Sequence, residues 1–278
     1  MKRYALVGLS IRGAMGQYLH CLTEAIAERA ETTVHVPIHF EYAGSRYKRF
    51  TFRTGHTRMA ALFRMLNPLA GRAVWRAVLA QRPDCVHLFN GEGYPWARLG
   101  LAMCKRHGVP TVVTVHDAKS HSGDFWGSVN DFSRRKVLRL ASGIHVHTRE
   151  ACEYVRAVVG EIPVRVIRHG DISPAFSKHR RRDGREGRLA LFFGRLETYK
   201  GIDSFLKAMP LLPGDWRCCI AGPGMLSPEV VALIQNAPPG RLEIINRYLP
   251  DAEVAALLEK ATVGVLPYRD ATQSSLPS

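Results

Sequence analysis

LFFGRLETYKGID, residues 191–203, is the stretch from which the rest of the chain can be placed. An apolar, β-rich run ends at Gly194-Arg195, and Lys200-Gly201 follow at the start of a helical pattern. Gly194 lets the chain leave the strand in a sharp turn that a side chain would crowd. Arg195 and Lys200 can then converge above the strand's carboxyl end, the edge where open α/β sheets bind ligands. An Arg guanidinium suits two-point contact with phosphate oxygens, and a Lys ammonium adds a flexible point charge. The pattern reads as a diphosphate clamp; two solvated cations at a surface strand end are the alternative.

Working outward, strand and helix patterns alternate along the whole chain, which implies parallel sheets covered on both faces. Strands are expected at 4–9, 33–38, 85–89, 111–115, 143–147 and 164–168, then at 189–193, 216–221, 242–245 and 263–266. Helical periodicity covers 16–29, 70–81, 97–106, 131–140 and 150–158, then 201–209, 228–236 and 251–260. Between the two series lies SKHRRRDGREGR, residues 177–188, which is charged, Gly-interrupted and without apolar periodicity. It reads as a solvated linker, because its Arg run lacks the interleaved aromatics of a nucleic-acid groove. The expected organisation is a first Rossmann-like domain over 1–176, the linker, and a second domain over 189–278. That second domain is shorter than its partner and stops soon after a strand, so it is expected to be incomplete.

The chain has 278 residues, 46% of them hydrophobic, enough for two buried cores and too many for a disordered chain. No apolar run approaches the roughly 20 residues needed to cross a bilayer. The amino terminus reads as a first strand and not as a signal peptide. The six cysteines lack metal-finger or C-x-x-C spacing, and Cys218-Cys219 would point to opposite faces of one strand. Reduced thiols and a cytoplasmic setting are expected. The net charge of +15 resides in the first domain and the linker. Such a field suits phosphorylated substrates, anionic lipid or nucleic acid.

Other strand ends carry further candidates. The first strand runs into SIRGAMG, where Gly13 and Gly16 could bring backbone N–H groups close to an anion; a plain βα turn fits equally. VVTVHD delivers His116 and Asp117, suited to bond a sugar hydroxyl and to orient the imidazole; a capping Asp beside a satisfied His is the alternative. Thr148 and Asp251 fit helix N-caps. Gly222 and Gly224 form a turn after a strand, and Tyr248-Leu249 follow the next one.

Taken in order, these segments resemble retaining glycosyltransferases of family 4, which have the GT-B fold. The matching pieces are GR-x4-KG at 194–201, the TVHD-like 114–117, HVHT at 145–148, VIRHG at 166–170, IAGPG at 220–224 and PYRDATQS at 267–274. The resemblance implies transfer of a sugar from a nucleotide-diphosphate donor to a hydroxyl, with retention and without a metal or other cofactor. His116 and Asp117 would border the reacting sugar. Arg195, Lys200, Gly13, Gly16, Gln273 and Ser274 would hold the diphosphate, and Gly222, Gly224, Tyr248 and Leu249 would border the nucleotide. His169 and Gly170 would be hinge structure.

The sequence departs from the family at its end. Ala271 stands where many members have Glu, and a second Glu would fall beyond Ser278. The implied partners are a nucleotide-diphosphate sugar and a glycan or lipid-linked acceptor. Arg46-Tyr47-Lys48-Arg49-Phe50 is the candidate for peripheral contact with an anionic membrane, since it alternates cations with aromatics. Two other classes stay open: an inactive fragment that only binds a nucleotide, and a nucleic-acid-binding α/β protein suggested by the charge. An NAD oxidoreductase is disfavoured because residues 8–13 lack the glycine pattern and no ribose-binding acid ends the second strand.

Overall fold

The computed structural model describes residues 1–11, 14–55, 63–116, 127–177 and 187–269. The chain divides into two compact units between Ile172 and Ser173. Residues 173–176 belong to the second unit, because Phe176 packs against the cluster of Leu191, Cys219, Ala221, Leu249 and Val254. Most of the expected linker, 178–186, lies outside the described residues.

The first unit is built on seven parallel strands: β1 (Arg3–Gly8), β2 (Glu31–Pro37), β3 (Lys48–Phe52), β4 (Cys85–Asn90), β5 (Thr111–Val115), β6 (Gly143–Val146) and β7 (Val164–Val166). Their order is β3-β2-β1-β4-β5-β6-β7. The helices are α1 (Ala14–Ala27), α2 (Pro68–Ala80), α3 (Pro95–Arg106), α4 (Gly127–Leu138) and α5 (Arg149–Val159). Ala5, Leu6 and Val7 of β1 are wholly buried, as a strand covered on both faces requires. The order reverses direction between β1 and β4, so the crevice beyond their carboxyl ends is the expected ligand position of this sheet. Thr148 caps α5 as expected, accepting from the Ala151 N–H at 3.1 Å.

Strand β3 was not expected from the sequence, where its residues formed the candidate membrane stretch. It pairs with β2 alone, at the sheet's edge, where alternating cations are common. Tyr47 is buried, Arg46 pairs with Glu28, and Arg49 donates to the Phe40 and Tyr42 carbonyls. Arg46 and Arg49 are thus engaged within the unit.

The second unit contains α6 (Ser173–Ser177), β8 (Arg188–Phe193), α7 (Ile202–Ala208), β9 (Trp216–Ala221), α8 (Pro228–Gln235), β10 (Leu242–Ile245), α9 (Asp251–Lys260) and β11 (Val263–Gly264). Its strands are parallel in the order β10-β9-β8-β11, half of a doubly wound sheet. Cys218 and Cys219 enter different core clusters, one on each side of β9, and all six cysteines are free. Asp251 is not the cap expected of it: Pro250 holds that position and Asp251 starts the helix.

Candidate functional site

In the second unit the direction of strand order changes between β8 and β11, and the Gly194-Arg195 turn leaves the carboxyl end of β8 at this point. Gly194 has φ +144°, and a Cβ there would stand 2.9 Å from the Lys200 Nζ. Gly222 has φ +139°, and its Cβ would lie 2.0 Å from the Gly194 carbonyl oxygen. A side chain at 222 would push the turns after β8 and β9 apart, and one at 194 would displace the Lys200 ammonium. Asn246 locks the next layer, accepting from the Gly224 N–H at 3.0 Å and donating to the Gly224 carbonyl at 3.1 Å. No sequence motif marked Asn246.

The two clamp cations each have a local partner. Arg195 meets Glu197 at 2.7 Å on the surface. Lys200 donates to the Tyr268 hydroxyl at 3.2 Å and lies 4.8 Å from that ring's centroid. An exposed ion pair is worth about 0–1 kcal/mol, whereas a charge-assisted bond to phosphate is worth roughly 1.5–3 kcal/mol. A diphosphate can therefore draw Arg195 away from Glu197.

Asp203, buried on α7, is held by Arg269 and by Lys207 at 3.5 Å. Burial works to raise its carboxyl, but Arg269 and Lys207 outweigh this and hold it below the usual range. Arg269 follows the β11 loop, so this pair ties that loop to α7. Asp203→Asn should lower stability by about 1–2 kcal/mol at pH 7. Because the folded carboxyl titrates low, the contribution is complete above the unfolded value near 3.8 and fades as pH falls through the folded value. Thermal melts at pH 7 and pH 3 test this, and an equal loss in both would contradict the ionic role.

In the first unit His116 follows β5, and its Nε2 lies 2.9 Å from the Phe89 carbonyl. A carbonyl only accepts, so this nitrogen carries the proton. The Nδ1 of His116 faces the Nε2 of His147 at 3.3 Å, while the Nδ1 of His147 donates to the Ile167 carbonyl at 3.0 Å. With both rings neutral, two lone pairs face each other across that gap. Burial, then the neighbouring imidazole, pushes His116 down to about 3. His147 is pushed down to about 4, again mainly by burial.

A second chain lies beside the pair. Its proton order follows from its last acceptor, the Ile167 carbonyl, to which His145 Nε2 donates at 3.1 Å. Thr114 then donates to His145 Nδ1 at 3.2 Å and accepts from His87 Nε2 at 2.6 Å. Tyr4 closes the chain on His87 Nδ1 at 3.2 Å. Every member is satisfied with both histidines neutral. Tyr18 of α1 covers the cluster, its ring 3.9 Å from that of His169 and 6.0 Å from that of His116 by centroid. Among the described residues these side chains do not form a metal-binding group.

With this geometry in view, a glycosyl transferase 4-like domain matches residues 13–170 and a glycosyl transferases group 1 domain matches residues 187–277. The chain belongs to the glycosyl transferase 4-like family. Its fold is GT-B, with one Rossmann-like sheet in each unit. Glycogen synthase of Mycobacterium tuberculosis is 28% identical over 244 residues, which is 81% of this chain and 54% of that protein. The chain thus spans about half the length of the curated relatives it matches.

Among solved structures, the Anabaena HepE protein in complex with UDP-glucose aligns with a TM-score of 0.62 at 15% identity, covering 95% of this chain and 73% of that one. UDP-GlcNAc 2-epimerase of Methanocaldococcus jannaschii aligns with a TM-score of 0.57 at 12% identity, covering 95% and 78%. At such identities the likeness establishes the fold alone.

Within this family frame, Arg195 and Lys200 sit at the switch point of their sheet, and His116 at a strand end of the other unit. Packing bears on four of the assigned positions. Gly16 is buried in α1, and a Cβ there would meet the Tyr42 ring at 3.1 Å, so its lack of a side chain serves packing against Tyr42. The Leu249 side chain is 4% exposed within the core, so it supports the sheet and does not face a base. The space at Gly222 and Gly224 is taken by the backbone of 194 and 196, so both glycines serve close packing of loops. Tyr248 is exposed. Gly13, Asp117, Gln273 and Ser274 lie outside the described residues. His147, His145, His87 and Tyr18 are the members of the site that sequence reading missed.

Proposed function

We propose that this protein takes part in transferring a sugar from a nucleotide-diphosphate donor to a hydroxyl of a glycan or lipid-linked acceptor, with retention and without a metal, in glycan or polysaccharide synthesis. The observation that carries this reading is the Gly194-Arg195 turn with Lys200 at the β8–β11 switch point, within a chain matched in order by two glycosyltransferase domains. Arg195 and Lys200 would supply the positive charge that the leaving diphosphate needs, a role that fixed cations fill as well as a metal does. The HepE structure holds UDP-glucose, a nucleotide-diphosphate sugar of the kind proposed as donor here. Asp117 would orient His116, and Gln273 and Ser274 would add contacts to the donor. The free cysteines suit a reducing compartment such as the cytoplasm. Among the described residues no helix is long and apolar enough to cross a membrane.

Calorimetric titration with UDP tests the clamp. Arg195→Ala and Lys200→Ala should each weaken binding at least about tenfold, as loss of a charge-assisted phosphate contact implies. Melting temperature should change little, since Arg195 is exposed and Lys200 gives up a part-buried hydrogen bond to a neutral hydroxyl, that of Tyr268 in the segment after β11. Unaltered UDP affinity in both variants would overturn the assignment. A second reading is nucleotide binding without transfer, since both clamp residues lie in the second unit. Normal UDP binding with no sugar transfer by the 278-residue chain would favour it.

A further inference from the structure

Between Glu41 and Asp84 the sequence contains no acidic residue and nine Lys or Arg. Within that stretch the described segment 63–80 presents three large apolar side chains to solvent: Phe63 is 66% exposed, Leu66 59% and Leu69 70%. They recur at three-residue steps on a backbone that is held in place. Leu66 N–H donates to the Phe63 carbonyl, and the Asn67 side chain caps α2 by accepting from the Leu69 and Ala70 N–H groups. The Asn67 carbonyl accepts from the buried Trp96, and Met65 is buried between the exposed positions. The apolar side chains therefore point outward from a fixed turn. On α2 the exposed residues after Leu69 include Arg72 and Arg76, while Gly71, Trp75 and Val78 face the core.

An exposed apolar cluster bordered by cations, in a stretch without anions, has the chemistry of a surface that lies in the headgroup region of an anionic bilayer. The apolar tips enter the acyl boundary and the guanidinium groups remain with the lipid phosphates. A soluble acidic protein would satisfy the cations but leave three aliphatic and aromatic side chains to be matched. A nucleic acid would do the same. We infer that the turn at residues 63–69 together with the exposed face of α2 docks the first unit on an anionic lipid bilayer. This surface is distinct from the 46–50 stretch, whose Arg46 and Arg49 are engaged within the unit. It does not depend on the sugar-transfer reading.

The test is co-sedimentation of the 278-residue protein with vesicles of phosphatidylcholine containing 30 mol% phosphatidylglycerol (about a third anionic, enough to set the surface potential), beside phosphatidylcholine alone. Binding is expected to the anionic vesicles only. The Phe63→Ser, Leu69→Ser double variant should lower the partition coefficient at least about tenfold while leaving the melting temperature unchanged, because both side chains are exposed. The Arg72→Glu, Arg76→Glu variant should lower it at least about thirtyfold, since each cation near such a surface is worth about a factor of five. Phe63→Trp should shift its emission to the blue on anionic vesicles and not on neutral ones. Three outcomes would overturn the proposal: binding that salt abolishes but the serine variant leaves intact, equal binding to both vesicle types, or a concentration-dependent dimer lost in the serine variant. Tighter binding to duplex DNA than to anionic vesicles would also overturn it. Loss of UDP binding or sugar transfer would bear on the proposed activity and leave this result untouched.

Discussion

The first unit is expected to lose on the order of 5 kcal/mol of stability between pH 7 and pH 5, an amount comparable to the whole stability of many domains. The cause is a set of histidines that the fold keeps neutral. Burial pushes His35 down to about 4 and His87 and His116 down to about 3, and holds His147 near 4. In the unfolded chain each titrates near 6.5. Above that value neither state takes up a proton, so the full stability is present. As pH falls below it, the unfolded chain binds protons that the folded unit refuses, and stability drains away toward the folded values. By pH 5 each ring contributes a loss of about 2 kcal/mol, less whatever the His116–His147 gap recovers by accepting one proton. Fluorescence of Trp75 and Trp96, both buried in this unit, should report a melting temperature that falls steeply from pH 7 to pH 5. His35→Gln, which removes one titrating ring stacked on Phe50, should make the fall shallower. A melting temperature constant down to pH 5 would mean that these rings take up protons in the folded state.

That histidine network also marks the limit of what the sequence discloses. Strand positions were legible because buried parallel strands read as continuous apolar runs, as at Ala190–Phe193 and Cys218–Ala221. Strand β3 was not, because KRFTF at a sheet edge needs apolar contact on one side only and its cations mask the pattern. The β8 turn was legible from Gly194, Arg195 and Lys200, since all three lie within one local motif. The roles of Gly16, Gly222 and Gly224 were not, because the atoms that fill the missing Cβ positions come from Tyr42, Gly194 and Leu196, elsewhere in the chain. His87, Thr114 and His145 are far apart in sequence and meet only because β4, β5 and β6 align in parallel register, with Thr114 opposite His145. A signal was present: Thr114 on β5 with His116 just past its end, and His145 on β6 with His147 just past its end, share the two-residue spacing of one sheet face.

His116→Ala is expected to lower kcat for sugar transfer at least about a hundredfold while UDP affinity stays within about threefold, the signature of a group that acts on the transition state more than on the bound donor. The clamp residues belong to the second unit and His116 to the first, so the substitution leaves both clamp side chains in place. The substitution also removes the His116 donor from the Phe89 carbonyl and opens a gap beside the inner nitrogen of His147, so a stability loss of about 1–3 kcal/mol accompanies it. The two effects separate by titrating active folded protein: a structural histidine would reduce the amount of folded enzyme and leave turnover per folded molecule unchanged. His147 sharpens the distinction. His147→Gln places an amide N–H where the inner imidazole nitrogen stood and can donate to His116 Nδ1, so the ring keeps its setting between Phe89 and residue 147. His147→Leu fills similar space without a donor. The Gln variant gains a hydrogen bond that the neutral pair lacks and the Leu variant gains none, so turnover in the Gln variant should exceed that in the Leu variant about tenfold, the scale of one hydrogen bond of about 1.4 kcal/mol. Equal turnover in the two His147 variants would show that His116 is set by Phe89 and packing alone. Unchanged turnover per folded molecule in His116→Ala would remove it from the reaction altogether.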